Sequence, residues 1–317
     1  MQYANATAQP RQELTEYVME GATYDTMFVG LQVLPPSPLK LPTGHVPKIT
    51  IATGDLLRAA AATRSPGAEF NRWQAGIVDL SLTLLQIAEE LLIPDEQELV
   101  YSDYFSVEQV FSLEARRRIQ RQVEVLVAAA IQNSTNFTST NATTSWTVAN
   151  YATLTFIQDV ISCIRRIKAN GEVPNTIVIP GLVYDVIRTG TLVQAFIAGS
   201  NQPGAVVNPN TIQRAFEEMG IKKVLVPDAY VNQSVANDNS IINPIWSKTY
   251  TAVLNVAEGS LQSGGVGRTF YWEKEGPIFN VSSYRAETRK SNVIRCMSTN
   301  LAEISNSRAG QIIAGGG

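Results

Sequence analysis

Histidine is almost missing from this chain: His45 is the single one among 317 residues. Ser-His-Asp and Cys-His catalysis, and almost all zinc sites, need imidazole, so only arrangements built on His45 survive. That residue lies in a Pro/Gly-rich extended stretch, where an exposed loop histidine is the expected reading. Cysteine is scarce as well. Cys163 and Cys296 are too few and too far apart for a disulfide framework and fit a reducing cytosol. Neither sign of charge is in excess, the formal net charge being −3. Composition therefore gives no electrostatic reason to expect a nucleic-acid or membrane binder. No run of eighteen apolar residues exists, which excludes an ordinary transmembrane helix. MQYANATAQPRQ at the start has no apolar h-region, so no signal peptide is expected, and the Asn-x-Ser/Thr sequons reflect composition.

What is present is a 44% hydrophobic chain able to bury a large core in one or two domains. Its organising stretch is Ser106 to Asn133. Val107, Val110, Phe111, Ala115, Ile119, Val123, Leu126, Val127, Ala130 and Ile131 recur at the spacing of an amphipathic helix. Neither Gly nor Pro interrupts it, and Ser106 with Gln109 reads as a capping box. The helix, over 106–132, would be roughly 40 Å long, a spine that needs a long sheet or a neighbouring molecule to lie against. Its opposite face carries Arg116, Arg117, Arg118 and Arg121. Three readings stand side by side for this group: a solvated face paired with Glu114 and Glu124, pairing between subunits, or phosphate binding, which lacks interleaved aromatics.

Before the spine, residues 1–33 hold a short apolar pattern with a single Arg and no Lys. That suits an arm lying on something apolar, not one that condenses nucleic acid. Five prolines between Leu34 and Pro47 impose extended backbone. With the Pro66-Gly67 bend, they predict an excursion over 34–80, out along one strand and back along another. Such a ribbon is marginal alone and needs a surface. Residues 88–105 are expected only to lead into the spine.

After the spine, the Asn/Thr/Ser-rich stretch 133–150 reads as a linker at a domain boundary. A helix over Ala152–Lys168 stops at Asn170-Gly171. A strand at Thr176–Ile179, helices over Leu182–Thr189 and Leu192–Ala198, a helix started by Asn208-Pro209, and a strand at Lys223–Val226 complete an α/β unit. From Pro244 the chain is β-rich: Ile245–Val256, Thr269–Glu273, Ile278–Tyr284 and Asn292–Met297. The terminal glycines are expected to be loose.

Sites for chemistry are poor. GSLQSGGVGRT, residues 259–269, has the glycine spacing of a phosphate loop, but Gly265 stands where Lys is needed and Thr269 opens a strand, so a turn is expected. Gly181 is too isolated for a dinucleotide fingerprint. Glu89/Glu90 and Glu217/Glu218 would diverge on a helix, and Asp95, Glu96 and Glu98 suit a helix start. No catalytic, metal-binding or cofactor-binding residue is expected.

The order of parts is more telling. LQVLPPSPLKLPTGHVPKI and TRSPGAEF, then IPDEQELVYSDYFSVEQVFSLEARRRIQRQVEVLVAAAIQN, PNTIVIPGLVYDVIRTGTLVQAFI, IKKVLVPDAYVN, and the segment from TFYWEKEGPIF to AGQII follow one another. In this order they resemble the major capsid proteins of tailed double-stranded-DNA bacteriophages, from about residue 29 onward. The resemblance implies an α+β Hong Kong 97-like capsid fold. Its parts would be an N-terminal arm (1–33), an extended E-loop (34–80), a peripheral (P) domain with the spine helix (81–149), an axial (A) domain (150–260), and returning strands shared by both (261–317). It implies hexamers and pentamers in an icosahedral head around double-stranded DNA, with a separate scaffolding protein, a portal and a decoration protein as partners. It also implies a virion location after assembly in the host cytoplasm, with no membrane or small-molecule substrate. Arg116, Arg117, Arg118, Arg121, Lys48, Arg64 and Arg72 are the candidate inter-subunit contacts. Neither Lys40 nor Lys48 matches the loop cross-linking chemistry of some members. A nanocompartment shell protein of the same fold is the rival reading, and an α/β enzyme over 150–230 the rival of a different class.

Overall fold

The long helix begins at its expected cap: Ser106 is extended and its hydroxyl accepts from the Gln109 N–H at 3.5 Å. It runs over Val107–Ile131, about 37 Å at 1.5 Å per residue. The computed structural model describes residues 9–24, 26–50, 57, 66, 67, 69, 76–198, 207–234, 241–259 and 264–315. In chain order come β1 (Gln9–Pro10), α1 (Gln12–Tyr24), α2 (Gly30–Val33), β2 (Pro36–Leu39), β3 (Thr43–Thr50), β4 (Gly76–Thr83), β5 (Leu85–Pro94), α3 (Asp95–Tyr101) and the long helix, α4. Next are β6 (Ser139–Asn141), α5 (Phe156–Ala169), β7 (Thr176–Val178), α6 (Gly181–Ile187), α7 (Thr191–Ala198), α8 (Pro209–Glu217) and β8 (Lys223–Leu225). Strands dominate the remainder: β9 (Tyr230–Asn232), β10 (Ile242–Pro244), β11 (Tyr250–Leu254), β12 (Gly267–Trp272), β13 (Asn280–Ala286), β14 (Ser291–Ile304) and β15 (Gly310–Ala314).

The surface that α4 needs is supplied within the subunit. One sheet runs β1-β13-β14-β12-β2, and β5 pairs along β14 as well, antiparallel from Leu85↔Asn300 to Pro94↔Ser291. Residues of β5 at alternate positions face opposite sides of the sheet, and Ile87, Leu91 and Ile93 join the core under α4. On α4 two neighbouring rows are buried: Ala115, Ile119, Val123, Val127 and Ile131, and beside them Arg116, Gln120, Glu124 and Ala128. The first row continues the apolar repeat. The second is covered because α1 and α2 pack on α4 from outside, seating Leu14, Val18, Val29 and Val33.

A second sheet, β6-β15-β11-β7-β8, divides two cores. Ala252, Leu254, Val178 and Ile312 point to the α4 core, whereas their neighbours Val253, Ile177 and Ile313 point to the core under α5. Period-two alternation thus lets one sheet serve both. The α5 side holds Phe156, Val160, Ile164 and Ile167 from α5 with Ile212 and Phe216 from α8. Helix α8 has a reciprocal capping box between Asn208 and Thr211, with Pro209 as its first residue. The third sheet is β3 with β4, antiparallel from Thr43↔Thr83 to Thr50↔Gly76.

Several expectations need correction. Over Gln12–Val33 the presumed arm lies on its own chain's α4, where Val18 and Val33 are fully buried. Pro36–Leu39 is no part of the excursion, since β2 pairs parallel with β12. Residues 88–94 are not a lead-in but most of β5. The stretch 133–150 is not a free linker: Phe137 and Trp146 are buried, and Ser139–Asn141 pairs with β15. Asp159 collects the Thr143 N–H, the Thr143 and Thr155 hydroxyls and the Trp146 indole N–H. Of the terminal glycines, Gly315 is fastened, accepting from Trp146 N at 2.7 Å and packing against its ring. The 150–230 unit is not self-sufficient, because β11 and β15 complete its sheet.

Candidate functional site

Where α4 passes beneath α2, Glu124 is 2% exposed and faces three N–H donors from two distant parts of the chain. Its carboxylate accepts from Trp246 Nε1 at 2.6 Å, Gly30 N at 2.7 Å and Val29 N at 3.1 Å. A β-carbon on Gly30 would stand 2.6 Å from Glu124 Oε2, so glycine is what lets the backbone come this close. Burial pushes the Glu124 carboxyl above its ordinary range, and the three donors pull it partly back. The junction holds residues 29–30, the middle of α4 and the segment entering β11 together.

The expected arginine face breaks up. Arg116 is 1% exposed, bonded to Gln120 and lying near Cys296, whose thiol burial pushes up to about 12. It belongs to the covered row, so it does not share a solvated face with the others. Nor does Glu124 serve them as a counter-ion. Arg117 pairs with Glu114 at 2.9 Å and Arg118 with Glu89 at 3.4 Å, both on the exposed side. The guanidinium of Arg121 lies over the Phe28 ring at 5.9 Å. Lys48 sits on β3 opposite Val78, remote in the fold from these arginines. Arg64 and Arg72 lie outside the described residues.

Two surfaces are conspicuous by exposure. At the hairpin, β3 and β4 pair with each other and with no further described strand; Leu82, Leu84 and Phe270 anchor the base, while Leu41 and Val78 are exposed. His45, an exposed strand residue and not a loop one, sits across from Ser81 with Nδ1 3.2 Å from its hydroxyl. The other surface is α3 and the turn into α4, where Leu99, Val100, Tyr101, Tyr104 and Phe105 are all exposed and the Tyr101 and Phe105 rings stack at 6.0 Å. Arg285 from β13 anchors α3 by a two-pronged pair with Asp95 at 2.5 and 2.6 Å, which holds the Asp95 carboxyl below its usual range. An open polar cavity of about 570 Å³ lies beside it, bounded by Arg11, Glu108, Ser283 and Arg285. Its arginines are already engaged, Arg11 by Glu13 and Glu108, Arg285 by Asp95 and Glu287.

Among the described residues no group of three or more His, Cys, Asp or Glu side chains could hold a metal ion, and no helix is long and apolar enough to cross a membrane. Glu89 and Glu90 do diverge, though on strand β5 and not a helix: Glu90 reaches Arg295 at 2.5 Å on the face away from Arg118. These surfaces are suited to contact, not to bond-making.

The whole-chain architecture has counterparts among solved structures. A phage-related protein from Bordetella bronchiseptica superposes with a TM-score of 0.72 at 15% identity, with 97% of each chain covered. The capsid structure of cyanophage P-SCSP1u superposes at 0.57 and 12% identity, covering 89% of this chain and 86% of that one. The fold is the Hong Kong 97-like one. A virus-like particle from Pyrococcus furiosus shares it too, at a TM-score of 0.56, 11% identity and 96% coverage of both chains. No protein-family model and no curated protein matches the sequence.

Sequence reading missed Glu124 and Trp246 as a pair, and the exposed aromatic turn. One signal for Glu124 was available: it lies one residue after Val123, on the row adjoining the apolar one. Nothing local announced its partners, which are 94 and 122 residues away.

Proposed function

We propose that this chain is the shell-forming subunit of a tailed-phage head, assembling as hexamers and pentamers into an icosahedral capsid around double-stranded DNA. The observation that carries the reading is the fold match over nearly the whole chain to a phage-related protein and a cyanophage capsid. The β3–β4 hairpin supports it physically. A two-stranded ribbon with exposed Leu41 and Val78 is marginal in water, and in a closed symmetric shell another copy gives it a surface. The near-balanced charge suits a lining along which DNA slides.

In this reading α4 is the spine of a peripheral domain and the α5 side forms an axial domain. Residues 43–83 are the extended loop. Arg117, Arg118, Arg121, Lys48, Arg64 and Arg72 remain candidates for contacts between subunits, while Arg116 is withdrawn because its own subunit buries it. The role is structural, with no catalytic residue, cofactor, membrane or small-molecule substrate. A separate scaffolding protein, a portal and a decoration protein are the expected partners, with assembly in the host cytoplasm and the finished protein in the virion.

The likeness to the virus-like particle from Pyrococcus furiosus favours one second reading, a nanocompartment shell enclosing protein cargo. Negative-stain imaging of the purified protein, with analysis of particle contents, tests both. Closed particles of uniform size are expected. A chain that stays monomeric at high concentration overturns the shell reading, and docked cargo peptide in place of DNA favours the nanocompartment.

A further inference from the structure

We propose that the exposed aromatic surface formed by α3 and the turn into α4 is the landing site for the β3–β4 hairpin of a second copy of this chain. The inference rests on the shell reading and names one of its contacts. Leu99 and Tyr104 are each 82% exposed, and Tyr101 and Phe105 stack beside them. An apolar group of this size on a short helix and turn, ringed by polar residues, marks a contact surface.

Charge decides what covers it. Between Arg72 and Arg116 the chain contains no Lys, Arg or His, and Asp95, Glu96, Glu98, Asp103 and Glu108 crowd the patch. Two such patches brought face to face would oppose carboxylates to carboxylates, which disfavours a self-complementary contact. The hairpin has the opposite balance: residues 40–72 hold Lys40, Lys48, Arg58, Arg64 and Arg72 against Asp55 and Glu69. It also has exposed apolar groups of its own in Leu41 and Val78.

The two surfaces of one subunit stand apart. The hairpin joins the start of β5 and the patch follows its end, with ten residues of extended strand between, roughly 33 Å. A second copy brings them together without bending that paired strand. The contact is then head-to-tail, the kind that closes into rings when the rotation permits. Because both surfaces are incomplete alone, each copy offers one and receives the other.

Charge exchange tests the contact. Glu96→Lys with Asp103→Lys alters the patch; Lys40→Glu with Lys48→Glu alters the hairpin. Particle yield is read by sedimentation and negative stain for each pair and for the chain carrying all four. Each pair alone is expected to lower the yield at least tenfold, and the fourfold variant to recover most of it, which a merely misfolded subunit would not do. Normal yield from either pair, or no recovery in the fourfold variant, overturns the contact while leaving the shell reading intact. A wild-type chain that never assembles overturns both.

Discussion

Glu124 and Trp246 are 122 residues apart in sequence and 2.6 Å apart in space, a buried carboxylate meeting an indole N–H with no cation among its printed partners. The ionised carboxylate can accept all three surrounding N–H groups, which makes it the right acceptor for a helix passing under two backbone amides. Its cost is desolvation. The balance between the two sets the first expectations.

Removing the acceptor should be severe. Glu124→Ala strands the Trp246, Val29 and Gly30 donors in a buried site, at a cost of about 3–5 kcal/mol. Trp246→Phe removes a single donor and should cost about 1–3 kcal/mol. Chemical denaturation of the unassembled subunit measures both. A Glu124→Ala subunit as stable as the wild type would refute the junction.

Gly30→Ala approaches the same carboxylate from the other side. The added methyl would meet Glu124 Oε2 at 2.6 Å and Val127 Cβ at 3.3 Å, and the carboxylate is pinned by its three bonds. About 1–3 kcal/mol of destabilisation is expected from this overpacking. Earlier hydrogen exchange at residues 29–34, with β14 unchanged, would locate the damage at the junction.

Because burial raises the Glu124 carboxyl above its ordinary value of 4.5, the folded subunit binds that proton more tightly than the unfolded chain does. The stability it contributes is therefore complete below that value and is lost as pH rises through the raised folded value. Asp95 has the opposite sign. Arg285 lowers it, so its contribution is present above its ordinary 3.8 and lost as pH falls further. Denaturation of wild type and Glu124→Gln from pH 4.5 upward should show a falling difference in pH slope, because the glutamine lacks the titration. Parallel curves would contradict the assignment.

Arg117→Glu or Arg118→Glu should impair assembly more than folding. Their ion pairs with Glu114 and Glu89 are solvent-exposed, and losing such a pair changes subunit stability by about 1 kcal/mol or less. Thermal melts of the subunit set against particle yield separate the two effects. Normal particles from both variants would remove these arginines from any contact between copies.

Deleting Lys48 to Arg72 removes the outer hairpin but leaves its anchored base, where Leu82 and Leu84 meet Phe270. A soluble, folded subunit that cannot close shells is expected. Wild-type-like particles from this deletion would show that the hairpin is dispensable for assembly.

Local signals in the sequence determined the helices and most strands. Ser106 with the uninterrupted repeat announced α4, Asn208-Pro209 announced α8, and Gly171 and Gly220, both at positive φ, marked the ends of α5 and α8. These depend on neighbours three or four residues away, so they are legible in one dimension. Strand β5 was not legible, because LQIAEELL carries no turn signal and becomes a strand only by pairing with β14. Likewise, whether Gln12–Val33 lies on its own helix, and whether Arg116 and Glu124 face water or protein, depends on which surface covers the second row of α4. That choice is made by contacts roughly a hundred residues apart, and tertiary packing alone decided it.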